Sequence, residues 1–150
     1  MTVSIELGDP RDPQATALLQ ASHALMQSLF PAESNHYLSV DALCVPSVRF
    51  FVAKSGNAIL GCGALKVKDG YGEVKSMFTD PAGRGQGIAD KILSKIEDTA
   101  VAEGLSILRL ETGDLLVDAH RLYARHGFEK RGPFGDYIDD PRSLFMEKAL

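Results

Sequence analysis

The sequence predicts a single α/β domain of the α+β kind, in which helices cover a mixed, mostly antiparallel sheet of about six to seven strands. Residues 49–80 contain three consecutive strand-like segments. A glycine-rich loop at 83–87 then leads directly into an amphipathic helix, and an apolar strand at 106–112 follows that helix. A chain of 150 residues with 45% hydrophobic content can build one core of ordinary size, so we expect one domain, 1–150.

The N-terminal third predicts a strand, a helix and a long loop. Residues 3–7, VSIEL, alternate apolar and polar side chains and then meet the turn residues GDPRDP. Helical apolar spacing begins at Pro13 and is stopped by Pro31. The segment 31–47 is polar and bounded by prolines, with one helical turn expected at 40–43. Loops of this length often carry function.

The middle of the chain predicts an antiparallel meander followed by a βαβ unit. Its strands are RFFVAKS, AILGCGALKVKD and YGEVKSMFTD, with turns around 56–57 and 69–70. A helix from about Gly87 to Glu103, ended by Gly104, returns the chain so that SILRLET pairs in parallel with YGEVKSMF. A helix at DAHRLYARHGF, stopped by Gly127, and short strands in FEKRGPF and SLFMEKAL complete the prediction.

Composition excludes several classes of function. The formal net charge of −4 and the pI near 5.5 argue against a nucleic-acid partner, because phosphate binding needs a field of Lys and Arg. We find neither a signal-peptide pattern nor a run of eighteen apolar residues, so we expect a cytoplasmic protein without a membrane span. The two cysteines, Cys44 and Cys62, have no metal-ligand spacing, and we expect no metal.

The loop GRGQGIA, residues 83–89, predicts an anion site. A strand, a glycine-rich turn and a helix in that order present unpaired N–H groups and the positive end of the helix dipole. The loop lacks the Gly-Lys-Ser/Thr ending of a P-loop and the spacing GxGxxG. With a lone Arg84, it suits a pyrophosphate that is held mainly by main-chain N–H groups, although plain loop chemistry is the alternative.

These residues resemble a known family. RGQGIA fits the Q/R-x-x-G-x-G/A motif of the GNAT superfamily of acetyl-coenzyme A-dependent N-acetyltransferases, and it lies between the fourth strand and the next helix, as that motif does. MFTDP resembles the family's strand end before the loop, and AHRLYARHGF resembles its A-x-x-L-Y-x-K-x-G-F helix. The resemblance extends from about Arg49 to Phe128. It implies the GNAT fold, in which two neighbouring parallel strands splay apart to admit the coenzyme.

By this resemblance, acetyl-coenzyme A (acetyl-CoA) is the co-substrate. The main chain of Met77, Phe78 and Thr79 is expected to pair with its pantetheine arm. The pyrophosphate is expected to bind N–H groups of the loop, which belong to Arg84, Gly85, Gln86, Gly87, Ile88 and Ala89.

Tyr123 and Glu73 are the catalytic candidates that the resemblance implies. Tyr123 occupies the position of a family tyrosine that faces the coenzyme sulfur, and a phenol can protonate a leaving thiolate. Glu73 precedes Arg84 by the offset at which the histone acetyltransferase branch carries its catalytic glutamate. The alternatives are a packing tyrosine and a solvated carboxylate. Leu116 stands where many members carry an asparagine, which puts the detail of this helix in doubt.

Three residues are predicted to bind the acceptor: Glu33 and His36 in the segment PAESNHYL, and Glu111 at the end of SILRLET. For each, a solvated loop or turn residue is the alternative. We expect direct transfer to a primary amine of a small molecule, and the acidic balance favours a cationic acceptor. A protein amine, and an acyl-CoA-binding sensor with little turnover, stay as alternatives. The sequence leaves monomer and homodimer open.

Overall fold

The computed structural model describes residues 2–150 and shows three α-helices on one seven-stranded sheet in that range. The strands are β1 (Ser4–Leu7), β2 (Val48–Ser55), β3 (Ala58–Val67), β4 (Gly72–Thr79), β5 (Ile107–Gly113), β6 (Glu129–Arg131) and β7 (Ser143–Ala149). The helices are α1 (Pro13–Leu29), α2 (Ile88–Ala102) and α3 (Val117–Arg125). The predicted fold class is confirmed.

The strand order is β1-β2-β3-β4-β5-β7-β6. Neighbouring strands pair antiparallel, except that β4 and β5 are parallel. The predicted meander of β2, β3 and β4 is therefore confirmed, and so is the parallel pair on the two sides of α2. This arrangement places the carboxyl ends of β4 and β5 next to each other, near the middle of the sheet.

Helices cover both faces of the sheet. On one face, α1 buries Ala15, Leu18 and Leu19 in a cluster with side chains of β2 and β3. On the other face, α2 and α3 bury a larger cluster that includes Ile92 and Ile96 of α2. Burying each such aliphatic side chain stabilises the fold by about 1.5–3 kcal/mol.

Glycines in β3 let α2 approach the sheet closely. A Cβ atom added at Gly61 would lie 2.7 Å from the side chain of Ile88, and one added at Gly63 would lie 2.6 Å from Ile92. Both distances are far shorter than a normal contact. Ile88 is thus fixed in the core at the start of α2.

The helix ends follow the capping residues. Asp12 caps α1, because its side chain accepts hydrogen bonds from the N–H groups of Gln14 and Ala15. The sequence predicted α2 from Gly87 to Glu103, which is one residue too long at each end. Gly87 adopts a left-handed φ of 71° and precedes the first helical residue, and Glu103 follows the last one.

The long loop between α1 and β2 contains two short 3-10 helices, at Ala32–Ser34 and Asp41–Cys44. The second confirms the helical turn expected there. The first begins the segment that closes over the sheet, and its Ser34 hydroxyl donates a hydrogen bond of 2.6 Å to Asp140 in the loop before β7. No helix within the described range is long and apolar enough to cross a membrane.

Candidate active site

β4 and β5 diverge after a short paired start. Within the described chain, β4 pairs with β5 only through Gly72 and Glu73, although β4 continues to Thr79 and β5 to Gly113. On its other side, β4 stays paired with β3 as far as Thr79. The edge of β4 that faces β5 therefore carries backbone polar groups without a strand partner beyond Glu73, which is the splayed pair that the resemblance implies.

A β-bulge interrupts β4 beside this gap. The register between β3 and β4 shifts so that Ser76 and Met77 lie opposite the single residue Gly63. Ser76 has a φ of 57°, in the left-handed region. After the bulge, Met77 packs against the core under α2, and Phe78 packs against the core under α1. The bulge thus changes which face of the sheet the last side chains of β4 contact.

A groove of about 660 Å³ lies along the gap, between the end of β4 and α3. Much of its lining is apolar, and several of these side chains are exposed: Leu25, Leu115 and Val117. Three guanidinium groups also belong to the lining: Arg84, Arg121 and Arg125. A groove of this size, apolar but with arginines in its wall, suits a long flexible ligand that carries phosphate groups.

The glycine loop lies at the start of α2, beside this groove. Gly85 and Gly87 have φ values of 80° and 71°, and a Cβ atom added at either would meet nothing within 4 Å. No backbone carbonyl in residues 2–150 accepts a hydrogen bond from the N–H groups of Gly85, Gln86 or Gly87. These groups are open to solvent at the positive end of a 15-residue helix, so they can bind an anion.

A smaller cavity of about 120 Å³ adjoins the groove on the side of α1 and the 31–37 segment. Its polar lining includes Ser34, Asn35, His36, Tyr37, Lys75, Ser76, Glu111 and Thr112. Both spaces share five lining residues: Met26, Met77, Leu116, Ala119 and Tyr123. A ligand in the groove and a second ligand in the cavity would therefore meet beside these five side chains.

Glu111 is the carboxylate that lines the small cavity. The Ser143 hydroxyl donates a hydrogen bond of 2.8 Å to one of its oxygens. Burial raises the pKa of Glu111 above the ordinary value for glutamate, against the opposing effects of the Ser143 hydrogen bond and the positive charges of His36 and Lys75. A carboxylate with a raised pKa is a stronger base than an ordinary one, which favours proton abstraction at neutral pH.

Lys75 lines the same cavity and contacts three groups of the protein. Its ammonium group lies 2.9 Å from the carbonyl oxygen of His36, 3.0 Å from the hydroxyl oxygen of Tyr137 and 3.5 Å from the carboxylate of Glu73. An ammonium group has three N–H donors. Lys75 thus fixes the 31–37 segment and the loop before β7 against β4, with two of its donors in hydrogen bonds and its charge next to Glu73.

Glu73 is buried on the same face of β4 and does not line the cavity. Its carboxylate accepts a hydrogen bond of 2.5 Å from the Tyr137 hydroxyl and pairs with Lys75. Burial, together with the charge of Glu73 and the hydrogen bond to it, raises the pKa of Tyr137 well above the usual range, so the phenol stays protonated and donates. Lys75, which pairs with Glu73, is the residue that links it to the cavity lining.

Tyr123 lies in α3 where the groove and the cavity meet. Its ring is 6% exposed and packs edge-on against Phe128, with 5.7 Å between the ring centroids. Burial, and to a lesser extent the charge of Glu111, raise the pKa of Tyr123 above the normal range. The hydroxyl is therefore protonated at physiological pH.

The structure brings most of the sequence-predicted residues together. Five of the predicted coenzyme residues line the groove: Met77, Phe78, Thr79, Arg84 and Ala89. The others are the loop residues Gly85, Gln86 and Gly87, and Ile88, whose side chain is in the core. His36 and Glu111 line the cavity, whereas Glu33 is exposed on the 3-10 helix beside it and lines neither space.

Sequence reasoning missed Lys75, Ser76, Arg121 and Arg125. The two arginines recur at four-residue spacing in α3, and this spacing is the signal that would have placed both on one helix face. Lys75 and Ser76 carry no such signal, because their roles depend on contacts with distant segments. No group of three or more His, Cys, Asp or Glu side chains in residues 2–150 is placed to hold a metal ion.

Comparison with known proteins agrees with this fold. The model of the acetyltransferase (GNAT) family matches residues 16–128. The chain is 45% identical to the IAA acetyltransferase of Azospirillum brasilense over 150 residues, which are 99% of this chain and 98% of the relative. It is 37% identical over 149 residues to the uncharacterized N-acetyltransferase YsnE of Bacillus subtilis, covering 97% of this chain and 99% of the relative.

A solved structure shows the same architecture. A Klebsiella pneumoniae protein assigned as an acyl-CoA N-acyltransferase superposes with a TM-score of 0.83 at 33% identity, over 99% of this chain and 98% of that one. A splayed parallel pair followed by a glycine-rich helix start defines an acyl-transfer enzyme of the N-acetyltransferase class. The chain belongs to the acetyltransferase (GNAT) family.

Proposed function

We propose that this N-acetyltransferase transfers the acetyl group of acetyl-CoA directly to a primary amine of a small molecule, with both substrates bound at once. One observation carries the proposal. A long groove and a small polar cavity meet at Tyr123 and Met77, with the carboxylate of Glu111 on the cavity side. Direct transfer needs this geometry, because the amine and the thioester must be in contact.

The groove would hold the coenzyme. The N–H groups of Gly85, Gln86 and Gly87 would bind the pyrophosphate, and the unpaired edge of β4 from Met77 to Thr79 would bind the amides of the pantetheine arm as an added strand. Arg84, Arg121 and Arg125 supply positive charge for the remaining phosphate. When bound, acetyl-CoA supplies an acetyl group that is activated as a thioester.

The size of the cavity favours a small acceptor. At about 120 Å³, it is close to an engineered apolar protein cavity of about 150 Å³ that binds benzene. The 31–37 segment closes one side of it and is held in place by Lys75 through the carbonyl of His36. A small molecule, or one small end of a larger molecule, fits this space better than an extended protein segment.

The polar groups of the cavity favour an amine. Lys75 donates to the His36 carbonyl and the Tyr137 hydroxyl, and its charge lies 3.5 Å from the Glu73 carboxylate, so its charge is largely balanced within the protein. Glu111 uses one oxygen for Ser143 and has further lone pairs available. The hydroxyl of Tyr37 already accepts a hydrogen bond from Gln27. A carboxylate with available lone pairs suits an amine, which donates hydrogen bonds.

Glu111 would act as the base and Tyr123 as the acid. Glu111 takes a proton from the amine nitrogen as the N–C bond forms, and Tyr123 gives a proton to the coenzyme sulfur as the C–S bond breaks. The raised pKa of Glu111 suits its role, since it makes Glu111 a better proton acceptor. The phenol of Tyr123 is protonated at neutral pH, so its proton is available for the leaving thiolate. Glu73 stays the second candidate for the base, acting through Lys75 or Tyr137.

A panel of acceptors tests the proposal. Purified protein with acetyl-CoA would be assayed for thiol release and for acetylated product by mass spectrometry. The panel contains alkylamines from methylamine to butylamine, benzylamine, spermidine, a lysine-containing peptide, and IAA, which the Azospirillum relative's name specifies. We expect turnover with at least one small amine and less with the peptide. Tight acetyl-CoA binding without any acetylated product would instead favour the coenzyme-sensor function.

A further inference from the structure

Ser76 has a strained backbone at the bulge of β4. Among residues 2–150 it is the one residue other than glycine with a positive φ, at 57°. A Cβ atom makes the left-handed region unfavourable, whereas glycine adopts it freely. If the bulge needed only this backbone conformation, glycine would satisfy it at lower free energy. The serine side chain is therefore the feature that needs an explanation.

The Ser76 hydroxyl has no partner in the protein. Its Oγ is buried, and across the described chain it is the one buried side-chain nitrogen or oxygen atom without a hydrogen bond. Buried polar groups are almost always paired, since an unpaired one destabilises the fold. Ser76 lines the small cavity but not the groove. Ser76 therefore borders the acceptor side of the site, and a change of its side-chain rotamer would bring the buried hydroxyl to the cavity surface.

We propose that the Ser76 hydroxyl binds the acceptor, by accepting a hydrogen bond from an N–H group of the primary amine. This inference rests on the proposed function. A neutral primary amine has two N–H groups and one lone pair. With one N–H on Glu111 and the other on Ser76, which line the same cavity, the lone pair is left free to attack the acetyl carbon. Ser76 then fixes the direction of attack.

The stability of two alanine variants gives the first test. Ser76→Ala removes a hydroxyl that has no protein partner, so we expect its Tm to equal or exceed that of the unaltered protein. Ser34→Ala is the matched control, because Ser34 lines the same cavity but donates to Asp140, and its Tm should fall by about 2–4 °C. Ser76→Gly, which also relieves the backbone strain, should raise the Tm.

The kinetics of Ser76→Ala give the second test, with benzylamine and n-propylamine as the acceptors. We expect the KM of the amine to rise at least tenfold, and the Kd of acetyl-CoA, measured by calorimetry, to stay unchanged. Ser94→Ala, an exposed position on α2, should change neither quantity. A rise in KM without a loss of stability is an outcome that a purely structural serine would not produce.

Two results would overturn the inference. One is a fall in the Tm of Ser76→Ala as large as that of Ser34→Ala, which would show that the hydroxyl is already paired in the free protein. The other is an unchanged KM in the variant. If the unaltered protein binds acetyl-CoA but acetylates neither amine, the proposed function fails for these acceptors. The comparison of Tm between Ser76→Ala and Ser34→Ala then decides by itself whether the Ser76 hydroxyl is unpaired and so free for a ligand.

Discussion

Replacing Glu111 with glutamine separates the two candidate bases. Glu111→Gln keeps the shape of the side chain and an oxygen that can accept the hydrogen bond from Ser143, but it removes proton abstraction. A positioned general base contributes about 10²–10⁴-fold to a reaction. We expect turnover to fall within this range, with the Kd of acetyl-CoA unchanged because Glu111 lines the cavity and not the groove.

The same substitution should stabilise the protein at neutral pH. Burial raises the pKa of Glu111 in the folded state, so the folded protein binds this proton more tightly than the unfolded chain does. Stability is therefore lost as the pH rises from the unfolded pKa through the folded pKa. Glu111→Gln removes that loss. Its free energy of unfolding should exceed that of the unaltered protein at pH 7, and the difference should shrink as the pH approaches 4.

Glu73→Gln is the matched variant. Glu73 does not line the cavity, and its carboxylate pairs with Lys75 and Tyr137. Neutralising it should cost about 1.5–3 kcal/mol of stability, as expected for hydrogen bonds to charged groups. Steady-state kinetics with the best amine, together with urea unfolding at pH 5 and pH 7, would measure both variants. The reasoning is refuted if Glu111→Gln keeps full turnover while Glu73→Gln, still folded, loses it.

Two further substitutions test the coenzyme site and the acid. Gly87→Val should weaken acetyl-CoA binding, measured by calorimetry, at least tenfold, or about 1.4 kcal/mol. Gly104→Val is the control: its φ of 81° creates a similar backbone strain, but it lies at the far end of α2 and should retain the affinity for acetyl-CoA. Equal affinities for the two variants would remove the loop from the site. Tyr123→Phe should lower turnover at least tenfold while changing stability by no more than about 1 kcal/mol. Because burial raises the pKa of Tyr123, the fall of the turnover rate at alkaline pH that its deprotonation causes should lie above pH 10. A fall below pH 10 that disappears in Tyr123→Phe would contradict this.

The sequence by itself determined the elements of the fold and predicted the coenzyme loop. Strand alternation, helical spacing and turn residues are local, so β2, β3, β4 and α2 were placed to within a few residues. The glycine loop was also readable, because three glycines before an amphipathic helix describe an anion site in a few consecutive residues. The order and direction of the central strands then followed from the short turns and the βαβ connection.

Only the tertiary structure decided which side chains face the small cavity. The local sequence does not distinguish Glu73 from Glu111. In the structure, Glu73 accepts a hydrogen bond from Tyr137, 64 residues away, whereas Glu111 lines the cavity. The Lys75 ammonium group donates a hydrogen bond to the backbone carbonyl of His36, 39 residues away in the sequence.

The strained bulge at Ser76 likewise depends on the register between β3 and β4. Such features are fixed by packing and pairing between distant segments. The free energies of those contacts depend on the three-dimensional positions of distant segments, which a local sequence pattern does not predict.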